Sequence, residues 1–214
     1  SGRYEVIRPL GEGGMGSVYE VLDRELDESV ALKLLHPQLS GDPAYRQRLR
    51  TEVRLARRVS HPNVCRVHDL GQHEDQLFVT MELLGGRTLR DLLRAIDAGD
   101  EPPLALSRKI DLVVQLCAAL AAAHRVGIVH GDVKPENLMI EPDRAVLSDF
   151  GVASPFDMRR GRRMVAGTPH YIAPEILRGE AGGPRADLYA CGLVAYELLA
   201  GNARYREVMA AAEA

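Results

Sequence analysis

The chain has 214 residues, with 27 Lys and Arg against 30 Asp and Glu and a net charge of −3 with histidine neutral. That balance gives no electrostatic reason to expect nucleic acid or an anionic membrane surface as the main partner, and 46% hydrophobic with 27% charged residues excludes disordered and fibrous classes. Cys65, Cys117 and Cys191 are far apart, odd in number and in no metal-ligand spacing, which argues against a disulfide scaffold or structural zinc and for a reducing compartment.

Residues 1–5 lack the basic head and apolar run of a signal peptide. No segment reaches the ~20 apolar residues of a membrane span; the nearest, 112–123, is interrupted by Gln115 and reads as a buried helix. A period of two predicts strands over 6–10, 17–21 and 30–35. Over 43–59 the pattern turns helical and charged, with Leu49, Val53 and Ala56 at i, i+4, i+7. Strands follow at 64–70 and 77–83, and Gly85-Gly86 breaks the chain. Thr88 is placed to cap a helix to about Ala98, and Ser107 another to Val126. A hairpin pairs 138–140 with 145–147 through the turn 141–144. An irregular Gly- and Arg-rich stretch over 152–172 precedes an apolar helix at 188–200. This is an α+β chain with its boundary at Gly85-Gly86: residues 1–84 hold a sheet with one helix, and residues 85–214 are helix-rich.

Gly11-Glu12-Gly13-Gly14-Met15-Gly16-Ser17-Val18 fits GxGxxGxV. Dinucleotide-binding folds share its first six positions but lead into a helix, whereas residues 17–21 continue as a strand. No Gly-Lys-Ser/Thr follows, which excludes a Walker A loop. Lacking Cβ atoms, such a hairpin can lay backbone N–H groups over phosphates, although by itself the octapeptide fits an ordinary turn equally well. Lys33 lies in an otherwise apolar strand, where its charge needs a partner. Glu52, near Leu49, Val53 and Ala56 on the charged helix, can supply it; alone it also fits a solvated acid.

His130-Gly131-Asp132-Val133-Lys134-Pro135-Glu136-Asn137 is the densest patch of potential chemistry. A loop there can present Asp132 to a substrate hydroxyl as proton acceptor, Lys134 to a transferring phosphoryl group, and the Asn137 amide oxygen to Mg²⁺. Asp149-Phe150-Gly151 adds a hard carboxylate for the metal. Singly, either aspartate reads as a turn or cap residue. In this order, after a glycine hairpin and a strand lysine, they read as phosphoryl-transfer machinery. Glu136 suits either a basic residue before the acceptor or plain solvation.

In these motifs the chain resembles the eukaryotic-like (Hanks-type) protein serine/threonine kinases. Residues 11–18 resemble the nucleotide-covering loop, Val30-Ala31-Leu32-Lys33 the motif of the phosphate-contacting lysine, and Glu52 falls where its ion-pair partner is expected. His130-Gly131-Asp132 with Asn137 resembles the catalytic loop, Asp149-Phe150-Gly151 the metal-binding triplet, and Ala173-Pro174-Glu175 the end of the activation segment. His61-Pro62-Asn63 resembles the turn leaving the lobe's helix, and Asp187 the aspartate bracing the catalytic loop. The resemblance implies a protein-kinase-like two-lobe fold, with an antiparallel N-lobe sheet plus one helix and a mostly helical C-lobe. It also implies ATP with Mg²⁺, or Mn²⁺ as an alternative ion, bound in the cleft, and transfer of the γ-phosphoryl group to Ser or Thr of a protein substrate.

The same resemblance assigns Leu10, Gly11, Gly13, Gly16 and Val18 to the nucleotide. Val18, Ala31 and Met139 sandwich adenine, Met81 is the gatekeeper, and Glu82 and Leu84 present hinge backbone groups. Lys33, held by Glu52, orients the phosphates; Asn137 and Asp149 hold the metal; Asp132 and Lys134 serve the transfer. Lys134 and Gly167-Thr168-Pro169 point to Ser/Thr rather than Tyr acceptors, with Thr168 set to hydrogen-bond Asp132 and Lys134. The expected partners are ATP, a protein substrate and a second kinase copy in a dimer, with no nucleic acid and no membrane segment. The expected location is the cytoplasm, either as such or as the cytosolic part of a larger or membrane-anchored protein, and the Ala-, Arg- and Leu-rich usage is bacterial in character.

Two features depart from the family pattern. Gly131 stands where many members have Arg, which removes a charge-assisted hydrogen bond to a loop phosphate and leads us to expect activity without one. Arg159, Arg160, Arg162 and Arg163 face only Asp157, as a solvated basic face. After residue 201 an alanine-rich tail stands where the family continues with further helices, so the C-lobe is expected to be truncated and Glu175 to lack its arginine partner. Two rival classes are a nucleotide-binding pseudokinase or scaffold without turnover, and a small-molecule phosphotransferase of the antibiotic-kinase kind. Residues 167–169 and 173–175, which build a peptide-docking surface, oppose the latter.

Overall fold

The computed structural model describes residues 2–150 and 169–213. They form two compact units, residues 2–60 with 65–84 and residues 61–64 with 85–150 and 169–213.

The first unit is a five-stranded antiparallel sheet of β1 (Tyr4–Gly13), β2 (Gly16–Asp23), β3 (Glu28–Leu35), β4 (Val67–His73) and β5 (Gln76–Met81), in the order β1-β2-β3-β5-β4. Its turns are tight because their residues accept left-handed backbone: Asp27 has φ 53° and Glu74 φ 51°. Alternation along the strands puts Val21, Val30, Leu32 and Phe78 on one face, where Tyr4, Tyr19 and Leu34 pack against them. A four-residue helix α1 (Pro37–Ser40), which periodicity is too short to reveal, leads to α2 (Pro43–Ala56). Asp42 caps α2 by accepting the Ala44 N–H at 2.9 Å, with Pro43 in the first turn. The helix buries Leu49, Val53 and Ala56, the residues its spacing selects.

The second unit carries β6 (Arg87–Thr88), α3 (Leu89–Ala98), α4 (Leu106–Arg125), β7 (Leu138–Ile140), β8 (Ala145–Leu147), α5 (Pro174–Leu177), α6 (Pro184–Ala200) and α7 (Asn202–Glu213). Thr88 caps α3 by accepting the Asp91 N–H at 3.1 Å. Ser107, by contrast, does not cap α4: the helix starts one residue earlier, behind Ala105 with no side-chain cap. Helix α4 buries Leu112, Leu116, Ala119 and Leu120 and packs on α6, which buries Ala190, Cys191, Val194 and Leu198. Helix α6 begins four residues before its apolar run, where Pro184 suits a first turn. The alanine-rich tail is helix α7, anchored by Tyr205, which is buried and stacks on Tyr171 with centroids 5.8 Å apart.

Residues 61–64 belong to this second unit because Asn63 is bonded into it. Its Nδ2 donates to Gln115 Oε1 at 2.7 Å and to the Ala145 carbonyl at 2.8 Å, and its carbonyl accepts the Leu147 N–H at 2.9 Å. Val64 forms a lone parallel bridge with Leu147, so the strand expected from residue 64 starts at Val67. No helix among the described residues is long and apolar enough to cross a membrane.

Candidate functional site

In the first unit, β1 and β2 meet through Gly14-Met15, with Gly13 opposite Gly16. Gly16 is required by the fold itself: at φ 156° a Cβ there would collide with the Leu34 carbonyl. Gly11 and Gly13 differ, because both are exposed and a Cβ on either would meet nothing within 4 Å. Their lack of a side chain therefore leaves bare backbone at the surface. Leu10 sits at a register irregularity of β1 and is 40% exposed.

Register places Val18 opposite Lys33 and Ala31 opposite Met81, so Val18, Ala31, Lys33 and Met81 share the sheet face turned away from the Val21-Val30-Leu32-Phe78 cluster. Lys33 and Met81 are each 7% exposed. After Met81 the chain is held by Glu82, whose N–H donates to the Arg66 carbonyl at 2.9 Å while its carboxylate accepts the Arg66 N–H at 3.2 Å. The Glu82 carbonyl accepts the Cys65 thiol at 3.8 Å, and Leu84 is half-buried.

The expected ion pair between Lys33 and Glu52 is not formed in this structure. Burial pushes the Glu52 carboxyl up to about 7, and the cation opposing that rise is Arg48, one helical turn away. The charge that opposes the rise thus comes from the acid's own helix, four residues back.

In the second unit residues 130–137 hold one hydrogen-bonded constellation. Lys134 Nζ donates to Asp132 Oδ2 at 2.6 Å, and Asn137 Nδ2 donates to the same oxygen at 3.1 Å and to the Asp132 carbonyl at 2.7 Å. A carbonyl can only accept, so the amide orientation of Asn137 is fixed and its Oδ1 faces away from Asp132. Among the described residues no hydrogen bond reaches Asp132 Oδ1. The Asn137 carbonyl accepts both the N–H and the hydroxyl of Ser148, at 2.9 and 3.1 Å, which fixes the chain directly before Asp149. Asp149 is held at φ 62°, an uncommon backbone for a residue other than glycine. Met139, half-buried on β7, pairs with Thr88 and Val146.

His130 is the hub that sequence reading leaves without a role. It is 1% exposed, donates from Nε2 to the Ser148 carbonyl at 2.8 Å and accepts the Asp132 N–H on Nδ1 at 3.2 Å. Its ring meets Phe150 edge-on at 4.7 Å. Asp187, 1% exposed, accepts the N–H groups of His130 and Gly131 at 2.8 Å each, and His124 Nε2 on α4 donates to it at 2.8 Å.

A second cluster lies beside the loop. Arg90 donates to Glu136 at 2.9 Å, to Glu197 at 2.5 Å and to the Tyr171 hydroxyl at 2.8 Å, and Tyr171 donates to Glu197 at 2.5 Å. Burial lowers the Arg90 affinity for its proton, but the bonds to Glu197 and Glu136 outweigh this and hold it above the ordinary range. Burial and the Glu197 carboxylate push Tyr171 upward. Glu136 is thus engaged by Arg90 rather than simply solvated. No spacing signals this cluster, since Arg90 and Glu197 stand 107 positions apart. Gly151, Asp157, Arg159, Arg160, Arg162, Arg163, Gly167 and Thr168 lie outside the described residues.

The donor set suits magnesium. Asn137 Oδ1 and the Asp149 carboxylate are hard oxygen ligands, and among the described residues no group of three His, Cys, Asp or Glu could hold an ion by itself. One carboxylate and one amide fit a cation that completes its shell with substrate phosphates and water.

Residues 4–213 match the family described as protein kinase domain. The chain is similar to the serine/threonine-protein kinases PknE of Mycobacterium tuberculosis, 41% identical over 208 residues (96% of this chain, 36% of that protein), and PknD, 40% identical over 210 residues (96% and 31%). It spans about a third of the length of these curated relatives. It also resembles the crystal structure of the Mycobacterium tuberculosis PknI kinase domain, with a TM-score of 0.74 and 34% identity over 93% of this chain and 74% of that one.

Proposed function

The chain belongs to the protein kinase domain family, and from that premise we propose that it transfers the γ-phosphoryl group of ATP to Ser or Thr hydroxyls of a protein substrate. The observation that carries this reading is the Asp132–Lys134–Asn137 constellation. Asp132 uses Oδ2 to hold Lys134 and Asn137 in place, and its other oxygen accepts the proton of the attacking hydroxyl. Lys134 offsets charge on the transferring group, so catalysis rests on positioning and electrostatic stabilisation rather than a covalent intermediate. Magnesium, when bound, neutralises phosphate charge, and Asn137 Oδ1 with Asp149 would hold it.

Lys33 orients the α- and β-phosphates. Bare backbone at Gly11 and Gly13 lies over the phosphates with Gly16 and Leu10 flanking it, while Val18, Ala31 and Met139 contact adenine. Met81 limits the depth of the purine site, and Glu82 and Leu84 offer it backbone groups. With three free cysteines, the domain suits a reducing cytosol.

A radiolabelled-ATP assay on a generic protein acceptor tests the reading. Asp132→Asn should lower turnover by about 10²–10⁴-fold while ATP affinity, measured by calorimetry, changes little. Near-full turnover in that variant would remove Asp132 from the role. Nucleotide binding by the parent chain without any transfer would favour a non-catalytic scaffold.

A further inference from the structure

We propose that Cys117 and Cys191 form a peroxide-responsive thiol pair that closes into a disulfide between α4 and α6. The two sulfurs lie 3.7 Å apart, 74 positions apart in the chain, on helices that pack on each other. A disulfide bond is about 2.05 Å long, so roughly 1.6 Å remains to be closed. Cys65 takes no part, being buried in the first unit with its thiol on the Glu82 carbonyl.

The two cysteines differ in a way that orders the chemistry. Cys117 is exposed and open to a small oxidant; Cys191 is 5% exposed. Burial, together with the neighbouring Cys117, pushes the Cys191 thiol up to about 12, which keeps it from reacting first; its part in closing the bond rests on its 3.7 Å approach to Cys117. The Cys117 thiolate attacks one oxygen of a hydroperoxide, the O–O bond breaks, and Cys117 sulfenic acid forms as the other oxygen leaves and is protonated. The Cys191 sulfur then attacks the Cys117 sulfur, the S–O bond breaks, and water leaves carrying the thiol proton. With hydrogen peroxide, two thiols become one disulfide and two waters; the sulfur pair loses the two electrons that the peroxide gains.

The position gives the bond a consequence. Cys191 lies one turn after Asp187 on α6, and Cys117 two turns before His124 on α4. The same two helices are already joined by the His124–Asp187 contact that supports the N–H groups of His130 and Gly131. A disulfide there fastens the helix pair on which the catalytic loop rests, and its formation does not depend on the phosphoryl-transfer reading.

The test treats the chain with stoichiometric hydrogen peroxide, followed by thiol titration, peptide mass spectrometry and a thermal melt. Titratable thiols should fall from three to one, the Cys117 and Cys191 peptides should be joined with loss of two hydrogens, and the melting midpoint should rise by roughly 5–10 °C. Dithiothreitol should reverse all three changes, and Cys117→Ser should abolish them. In Cys191→Ala, Cys117 should stop at a sulfenic acid trapped by dimedone, a readout that holds even if Cys117→Ser folds poorly. Sulfinic acid at Cys117 with Cys191 still titratable, or cross-links only between chains through Cys117, would overturn the proposal.

Discussion

The Asp187 carboxylate accepts the N–H of Gly131 at 2.8 Å from one oxygen, and with the other oxygen takes His130 and His124. A helix-borne acid thereby satisfies two successive backbone donors of an irregular loop, and it does so almost fully buried. Asp187→Asn keeps the shape but offers only one acceptor oxygen, so at least one buried N–H must face an amide NH₂. We expect a loss of about 1–3 kcal/mol, read as a lower urea midpoint. An unchanged midpoint would show that the loop is held by other means.

The glycine hairpin separates folding from binding. Gly16→Ala drives a Cβ into the Leu34 carbonyl, which is main chain and cannot swing aside, and should destabilise the chain by more than about 1 kcal/mol. Gly13→Ala meets open space and should leave the thermal midpoint within about 1 °C, while raising the KM for ATP if bare backbone serves the phosphates. Equal destabilisation by both would show that Gly13 serves the fold instead.

These contrasts mark what was legible in the sequence. The strands of the first unit were readable because alternation is a local signal, and Leu49, Val53 and Ala56 are the buried face of α2. The 130–137 segment was readable as a unit because its polar residues lie close together in the chain, and Asp132, Lys134 and Asn137 do meet. Helix α7 was not, since alanines carry no apolar periodicity and only Tyr205 betrays a buried face. The start of α4 was misread because a serine close to a helix start resembles a cap whether or not its hydroxyl is used. The Lys33–Glu52 pair failed for a different reason: a motif names two residues, but the distance between a strand and a helix depends on packing.

Arg90 tests the cluster no motif announces. Glu197 is fully buried, and truncating Arg90 to Ala leaves its carboxylate without a cation. The expected loss is about 3–5 kcal/mol, measured by urea unfolding. Arg90→Met with Glu197→Gln should recover part of it, because a neutral amide leaves no uncompensated charge. A double variant no more stable than Arg90→Ala would show that packing around the guanidinium, rather than its charge, sets the cost.

Glu52 makes stability depend on pH in a direction opposite to that of a salt-bridged acid. Its carboxyl rises from 4.5 to about 7 on folding, so between those values the folded chain holds a proton that the unfolded chain has released. Stability therefore falls as pH climbs from about 4.5 through about 7, and the full penalty persists above. The side chain is only half-buried, so solvent screening keeps the size well below the nominal equivalent of the shift. Glu52→Gln carries no titrating proton. Its urea midpoint should match the parent near pH 4.5 and exceed it at pH 8, the gap opening across that interval. A gap of constant size from pH 4.5 to 8 would mean that burial does not hold the proton on Glu52.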